Sequence, residues 1–247
     1  MLDVRNLNSD DIETLEELIR NPSNLDFDIL YPIEYLLDNA IQEPKTYVRI
    51  SKSVVNPFFV QWLRSNKDSL PNTVIIDFEY IEIESTRDDL IAPFIPIVEL
   101  LKDHEIVIMS GAIPQSLPVS SEEDYHLSRI EKDLFNKIKT IVPHSNLIFG
   151  DYTSVSPVIA TGGRAIVQLK YTLEDEYWFV RNGLRRGNYD FVAVCKQIAN
   201  LETFNERYCW GDSYIKTVVD ENTNKGNPSV WTSIGVYRHI VVCLEES

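Results

Sequence analysis

Basic residues are scarce in this chain of 247 residues. It carries 23 lysines and arginines against 38 aspartates and glutamates, a formal net charge of -15 at pH 7. Non-specific binding to DNA or to an anionic membrane depends on Lys and Arg at phosphate groups, so we expect neither partner. The basic residues that do cluster are Arg181, Arg185 and Arg186 in "RNGLRRG", with Arg164 and Lys170 before them.

Long hydrophobic runs are also missing. No segment approaches the roughly 18 to 20 apolar residues of a membrane-spanning helix. The acidic opening "MLDVRNLNSDDIETLEEL" has neither the basic start nor the apolar stretch of a secretory signal. These absences predict a cytoplasmic protein.

Cysteine is rare, and its spacing excludes the common cysteine-rich sites. The three residues, Cys195, Cys209 and Cys243, are widely separated and lie among apolar or aromatic neighbours. No pair has the CxxC spacing of a zinc or redox site. We interpret all three as buried free thiols.

The familiar catalytic motifs are absent as well. The chain has no HExxH, GxSxG or phosphate-loop pattern, and "ATGGRA" at 160–165 leads into a strand rather than a helix. Of the four histidines, only His239 opens a predicted strand, and a structural hydrogen bond is its simpler interpretation. The sequence therefore names no catalytic residue, metal ligand set or cofactor.

Amphipathic helices are clearly indicated by apolar residues at steps of three and four. The strongest pattern covers 120–142, where Ser120 and Glu123 form a capping-box motif. Pro93 and Pro96 make one further helix irregular. The other predicted helices cover Asp10–Arg20, Pro32–Gln42, Pro57–Asn66, Asp88–Lys102 and Tyr189–Asn200.

Short apolar runs alternate with these helices. Such runs predict a mainly parallel sheet covered by helices, and both a doubly wound sheet and a closed barrel fit the alternation. Two of these runs, Ala165–Tyr171 and Tyr177–Arg181, are too close in sequence for a helical crossover, so they predict an antiparallel hairpin. The predicted strands are Thr46–Ser51, Thr73–Phe78, Glu105–Ser110, Asn146–Asp151, Ala165–Tyr171, Tyr177–Arg181 and His239–Leu244.

Polar residues follow several of these runs. If the strands are parallel, Asp77, Ser110–Gly111, Asp151 and Lys170 lie on one rim of the sheet, where α/β proteins place their sites. Carboxylates that converge there could bind a divalent cation or transfer protons. The alternative is that each Asp is only a turn or helix-capping residue.

Two further stretches have an unusual composition. "FGDYTSVSP" presents Asp151 and Tyr152 at a strand end and then stays irregular, while "YCWGDSYI" places Trp210 and Asp212 on either side of a glycine. Trp210 and Asp212 are either an aromatic wall with a polar anchor for a ligand, or a packed ring beside a helix N-cap. With Lys170, Arg181, Arg186 and His239, these residues complete the candidate ligand-binding set.

Several segments recur in an order that resembles the family named for the beta protein of T-even bacteriophages, whose members occur in phages and widely in bacterial genomes. The likeness covers about residues 73 to 247 and rests on the IIDF, SGAIP, SRIE, GDY, KYT, RNG, WGD and HI segments. The resemblance implies an α/β barrel-like fold and supplies no activity. The strand–helix alternation predicts a single α/β domain over residues 1–247, with a mostly parallel, barrel-like sheet that the hairpin interrupts.

The chain also departs from the family pattern. Relatives usually show Arg-Tyr where Lys170 and Tyr171 stand, and a histidine pair where Arg238 and His239 stand. The usual opening strand and helix are missing, which implies an incomplete barrel with an open edge at Thr46–Ser51. We therefore expect a second copy or a protein partner to dock on the N-terminal region.

Two functions are compatible with the sequence. The favoured one is an accessory or ligand- and partner-recognition protein of phage–host conflict or antiphage defence, with a pocket at the strand C-terminal ends. The alternative is a metal-assisted hydrolase of a phosphoester or nucleotide. In that case Asp77, Asp151 and Asp212 would serve as acids or metal ligands, and the basic side chains would hold the anion.

Overall fold

The structure, a computed structural model, describes residues 2–4, 7–20, 28–38, 47–82, 87–143, 146–158, 166–185 and 189–246. The chain forms two compact units by Cα packing. Unit 1 comprises Met1–Ser110 with Glu131–Asp151, and unit 2 comprises Gly111–Ile130 with Tyr152–Ser247. The expectation of one domain over 1–247 stays a prediction.

The strands and helices are numbered in chain order over the described residues. The strands are β1 Leu2–Asp3, β2 Ile29–Pro32, β3 Tyr47–Ser51, β4 Thr73–Tyr80, β5 Glu105–Gly111, β6 Tyr125–Ser128, β7 Leu147–Asp151, β8 Ile166–Thr172 and β9 Glu176–Leu184. The helices are α1 Ser9–Arg20, α2 Ile33–Asp38, α3 Pro57–Asn66, α4 Arg87–Ile91, α5 Ile95–Leu100, α6 Ile130–Ile141, α7 Phe191–Ala199, α8 Trp210–Glu221 and α9 Pro228–Glu245.

The larger sheet confirms the predicted α/β class. Its strand order is β1-β2-β3-β4-β5-β7, and its pairs from β1 to β4 and between β5 and β7 are parallel. Val48, Ile50, Val74 and Ile76 are all 0% exposed, as expected for a parallel sheet that is buried on both faces. The sheet does not close over the described residues, which agrees with an incomplete barrel.

The predicted open edge at Thr46–Ser51 is wrong. Strand β3 lies inside the sheet, because Val48 pairs with Tyr31 of β2 on one side and with Val74 of β4 on the other. The two strands that precede β3 have two and four residues, and β2 ends in a proline, so neither gives a recognisable strand pattern.

Unit 2 contains a three-stranded antiparallel sheet in the order β6-β9-β8. Strands β8 and β9 form the predicted hairpin. One face of this sheet, with Leu169, Tyr171 and Val180, packs into an apolar core that also includes residues of α7, α8 and α9. In that core the Phe191 and Trp231 rings stack with centroids 4.6 Å apart.

Helix α9 covers β8, the edge strand of this sheet. A Cβ atom at Gly235 would lie 2.7 Å from the backbone oxygen of Lys170, so only glycine allows the helix to come this close. Arg238 Nε donates to the backbone oxygen of Thr172 at 3.1 Å. The helix thus covers strand carbonyls that an edge would otherwise present.

Two predicted elements are corrected. The helix predicted over 120–142 begins only at Ile130, and Tyr125–Ser128 form strand β6, since pairing with β9 overrides the local helical pattern. The strand predicted at His239–Leu244 is the last part of α9. Its apolar run is equally compatible with a buried helix, and periodicity alone does not separate the two.

Helices α1, α3 and α7 lie close to their predicted positions, whereas α8 and the first part of α9 were not predicted. Helix α3 has the predicted bounds, and the irregular stretch around Pro93 separates α4 from α5. Among the described residues no helix has both the length and the apolar character needed to cross a membrane.

Candidate functional site

Three members of the predicted rim, Asp77, Ser110 and Asp151, lie in the parallel sheet of unit 1. The prediction that Lys170 ends a strand of the same sheet is wrong, because Lys170 lies in β8 of the antiparallel sheet of unit 2. Asp77 in β4 pairs in register with Ser51, the last residue of β3, and Ser110 in β5 pairs with Asp151, the last residue of β7. All four residues therefore lie toward the carboxyl ends of their strands. Asp77 and Ser110 are buried, whereas Asp151 is half-buried.

Asp77 forms a buried ion pair. Arg49 Nε donates to Asp77 Oδ2 at 2.8 Å, Arg49 Nη2 also contacts this oxygen, and Arg49 Nη1 contacts Asp3. The other oxygen, Asp77 Oδ1, accepts from the backbone N–H of Glu79 at 2.8 Å, where φ is +58°. This bond is an Asx turn, so Asp77 has a turn role together with its ion pair.

The stretch after Asp151 belongs to unit 2. Thr153 has a left-handed φ of +56°, and Ser154 is buried at 1% exposure. A Cβ atom at Gly111 would lie 3.1 Å from the Tyr152 ring and 2.5 Å from Pro157 Cγ, so Tyr152 packs on the Gly111 backbone. The irregular sequence therefore folds into a tight turn that buries Ser154.

Two basic residues of the candidate set lie on one face of the unit 2 sheet. Lys170 is directly opposite Phe179 in the β8–β9 ladder, and Arg181 is opposite Gln168. Since alternate residues share a face, Lys170 and Arg181 flank Phe179 on the side away from the helical core. The third basic candidate, Arg186, lies outside the described residues.

Lys170 is a half-buried cation whose acceptor is neutral. Its Nζ donates to the backbone oxygen of Ser154 at 2.9 Å and lies 5.9 Å from the Phe179 ring centroid. Burial lowers the pKa of Lys170 to about 8. The Ser154 hydroxyl has no hydrogen-bond partner within the described part of the chain.

Arg181 has a similar environment. It is 7% exposed, and its Nη1 donates to the backbone oxygen of Ser120 at 2.6 Å. Its Nε has no hydrogen-bond partner among the residues that the structure describes. Burial lowers the pKa of Arg181, against the opposite effect of the Asp124 and Glu123 carboxylates. Lys170, Arg181 and Ser154 together are called the cationic site below.

Asp212 is saturated by donors rather than available to a ligand. It is 0% exposed and accepts from Tyr171 Oη at 2.7 Å, Arg238 Nη1 at 2.6 Å and Cys209 Sγ at 3.1 Å. The Arg238 guanidinium lies between the Tyr171 and Tyr208 rings, 4.2 Å and 4.5 Å from their centroids. Burial is the main cause that raises the pKa of Tyr171.

Neither interpretation of "YCWGDSYI" is right. The N-cap of α8 is Cys209, so Asp212 lies within the first helical turn and is not the cap. Trp210 is 45% exposed and contacts the Tyr214 and Tyr237 rings, with centroids 5.6 Å and 6.0 Å away. The indole and the carboxylate therefore do not form one wall-and-anchor site.

His239 is buried in α9 and stacks on Tyr177, with ring centroids 5.5 Å apart. Its Nδ1 lies 3.3 Å from Thr172 Oγ1 and its Nε2 lies 3.3 Å from Cys243 Sγ. Sequence reasoning gave no role to Arg49 or Arg238. A single arginine inside an apolar run is a usable signal for both, because a buried charge needs a partner.

The fold and the cationic site define an α/β protein that combines an open parallel sheet with a helix-covered antiparallel sheet. The chain belongs to the Beta protein family, whose model matches residues 51–245. This confirms the family predicted from the sequence motifs, and the match begins earlier than residue 73. No curated protein and no solved structure matches the chain.

Proposed function

We propose that this protein is a recognition protein that binds an anionic group at the cationic site of unit 2. The setting of phage–host conflict or antiphage defence is part of the proposal and rests on family membership. The ligand carries a phosphate or carboxylate group, because these anions match the donors that Lys170 and Arg181 present.

The observation that carries this proposal is the environment of Lys170. A half-buried ammonium group normally pairs with a carboxylate, and in the described part of the chain Lys170 has only a backbone oxygen as acceptor. An anion at this position would restore the charge stabilisation that burial removes. Arg181 lies on the same face of the sheet. The hydroxyl of Ser154, whose backbone oxygen accepts from Lys170, is a further unused hydrogen-bonding group in the described part of the chain.

The competing hydrolase has less support. It requires Asp77 and Asp212 to offer oxygens to a metal or to a reacting group. Both side chains are 0% exposed, and both are engaged by arginine, Arg49 and Arg238 respectively. A carboxylate that is already neutralised by a buried guanidinium is a poor metal ligand. These contacts favour recognition over metal-assisted hydrolysis.

We expect inorganic phosphate, used as a probe, to bind the protein in calorimetry and to raise its unfolding temperature. Lys170→Met should weaken this binding about tenfold or more, the effect of losing a charge-assisted hydrogen bond of about 1.5–3 kcal/mol. The matched control is Lys196→Met, which changes net charge equally at an exposed lysine bonded to Asn222. Its phosphate affinity should stay within about twofold of the parent.

The same binding should depend on pH in a defined direction. The pKa of Lys170 is about 8, so below pH 8 the empty site already carries the ammonium group. Above pH 8 an anion can bind only with uptake of a proton, so affinity falls as pH rises. Affinity that stays flat from pH 8 to 9.5, where phosphate no longer changes its own charge, or equal losses in both lysine variants, would contradict the proposal.

A separate measurement decides between recognition and hydrolysis. The protein is titrated with Mg²⁺ or Mn²⁺ and then assayed with generic phosphodiester substrates, with Asp151→Ala as the comparison. Metal binding together with turnover that depends on Asp151 would overturn the recognition function. Phosphate binding without metal binding and without turnover supports it.

We propose further that a second copy or a protein partner docks on the N-terminal region, residues 1–51. Leu7 and Leu37 are each 42% exposed there, and in the described residues no strand pairs with the outer side of β1. Light scattering at micromolar concentration should show a species larger than the monomer. Leu7→Lys should lower the fraction of this larger species. The control is Phe58→Lys, at a position that is 88% exposed and lies outside the region, and it should leave the fraction unchanged. A monomer without a co-purifying chain contradicts this.

A further inference from the structure

Cys243 and His239 form a pair on the last helix. They lie one helical turn apart on α9, with Cys243 Sγ 3.3 Å from His239 Nε2. The other ring nitrogen, Nδ1, lies 3.3 Å from Thr172 Oγ1. A tautomer with the proton on Nδ1 donates to Thr172 and leaves Nε2 as acceptor for the thiol proton. This is the order of nucleophile, base and orienting group that covalent catalysis uses.

A buried guanidinium contacts the same sulfur. Arg129 Nη2 donates to Cys243 Sγ at 3.1 Å, and Arg129 Nη1 donates to the Glu174 backbone oxygen at 2.9 Å and to Glu246 Oε1 at 2.8 Å. The side chain of Arg129 is 0% exposed. Burial lowers the pKa of Arg129. The charges of Cys243, Tyr177 and Glu246 and the hydrogen bond to Glu246 raise it, so the pKa lies above its ordinary value. The guanidinium lies within hydrogen-bond distance of the sulfur that would act as the nucleophile.

The other two cysteines have the opposite character. Cys195 is 0% exposed among apolar side chains, and burial raises the pKa of its thiol to about 12. Cys209 donates its proton to Asp212, and burial with this bond raises its pKa to about 11. Cys243, by contrast, is half-buried. The expectation of three buried thiols is wrong for Cys243.

We propose that Cys243 is a reactive nucleophile, with His239 as its base and Arg129 as its charge partner, and that it accepts an acyl group from activated esters or thioesters. The Cys243 sulfur attacks the acyl carbon and forms a C–S bond, while the bond to the leaving oxygen or sulfur breaks. His239 takes the thiol proton and passes it to the leaving group. The products are an S-acyl cysteine and an alcohol or thiol. This proposal does not rest on anion binding at the cationic site.

The first test compares each cysteine with itself in the unfolded chain. Native and urea-unfolded protein are treated at pH 7 with limiting iodoacetamide, and the rate at each cysteine is read by peptide mass spectrometry. An ordinary cysteine with pKa near 8.5 is only about 3% thiolate at pH 7, so a base beside the thiol can raise the rate of alkylation. We expect Cys243 to react about fivefold faster in the native protein, and Cys195 and Cys209 to react far more slowly.

The second test separates activation from exposure. His239→Phe keeps a ring to stack on Tyr177 but removes the base, and it should lower the native rate of Cys243 about fivefold or more. Thr172→Val, which leaves the imidazole in place, serves as a second variant if His239→Phe does not fold by circular dichroism. The matched control is His126→Phe, at an exposed histidine that stacks on Trp178 and pairs with Glu176. It should leave the rate unchanged.

The acyl transfer is tested with p-nitrophenyl acetate. We expect a burst of p-nitrophenol and one acetyl group on Cys243, both lost in Cys243→Ser. A native rate for Cys243 below its unfolded rate, or an equal rate in the parent and the His239 variant, would overturn the proposal and leave a merely shielded thiol. If acetyl groups are found on lysines but not on Cys243, the proposed acyl transfer to Cys243 is wrong. Phosphate binding at the cationic site is unaffected by either result.

Discussion

Arg238→Met should lower the free energy of unfolding by about 3–5 kcal/mol, because it leaves the Asp212 carboxylate buried without its cation. Asp212 is 0% exposed and, among the described residues, would keep only the Tyr171 hydroxyl and the Cys209 thiol as side-chain donors. The substitution also removes the guanidinium from between the Tyr171 and Tyr208 rings. Chemical denaturation followed by circular dichroism measures the loss.

A double variant shows whether the loss of stability in Arg238→Met comes from the unpaired charge of Asp212. Asp212→Asn combined with Arg238→Met removes both charges, so its loss should be clearly smaller than the sum of the two single losses. Arg207→Met is the control, since this exposed arginine lies in the same unit and should change stability by less than about 0.5 kcal/mol. Additive losses in the double variant would show that packing of the guanidinium, rather than charge pairing, stabilises this network.

The parts of the fold that the sequence predicts well are those decided by local chemistry. The Thr73–Phe78 and Glu105–Ser110 runs are β-branched and apolar, and helix α3 begins with Asn56 as an N-cap and a proline in its first turn. Each of these signals lies within a few residues. The His239–Leu244 run carries no such capping or turn signal of its own, because it is the end of a helix that begins at Pro228.

The candidate site is less predictable because its ion pairs join distant residues. Arg49 and Asp77 are 28 residues apart, and Arg238 and Asp212 are 26 apart. A charged residue inside "YVRIS" or "GVYRHIVV" indicates that a buried charge needs a partner, but the identity of the partner depends on strand register and helix packing. The sequence therefore named both aspartates correctly as unusual and assigned them to a ligand, whereas their oxygens are engaged by arginine within the fold.

Arg49→Met should be the most damaging substitution in unit 1, with an expected loss of about 3–5 kcal/mol in the free energy of unfolding. The guanidinium contacts two carboxylates, and its removal leaves both without this cation. Asp77 is fully buried, whereas the side chain of Asp3 is 30% exposed and stays in contact with water. The energetic cost therefore arises mainly at Asp77.

This difference in exposure predicts how the stability losses rank when Asp3, Asp77 and Arg49 are each substituted. Asp3→Asn should cost least, within about 1 kcal/mol, as expected for a partly exposed ion pair. Asp77→Asn should cost more, because it removes a buried partner, yet less than Arg49→Met, since Arg49 keeps Asp3. Arg64→Met, at an exposed arginine on α3 that bonds Gln61, is the control and should be nearly neutral. Equal losses for the two aspartate variants in urea denaturation would contradict the order, because they would mean that burial does not set the strength of this pairing.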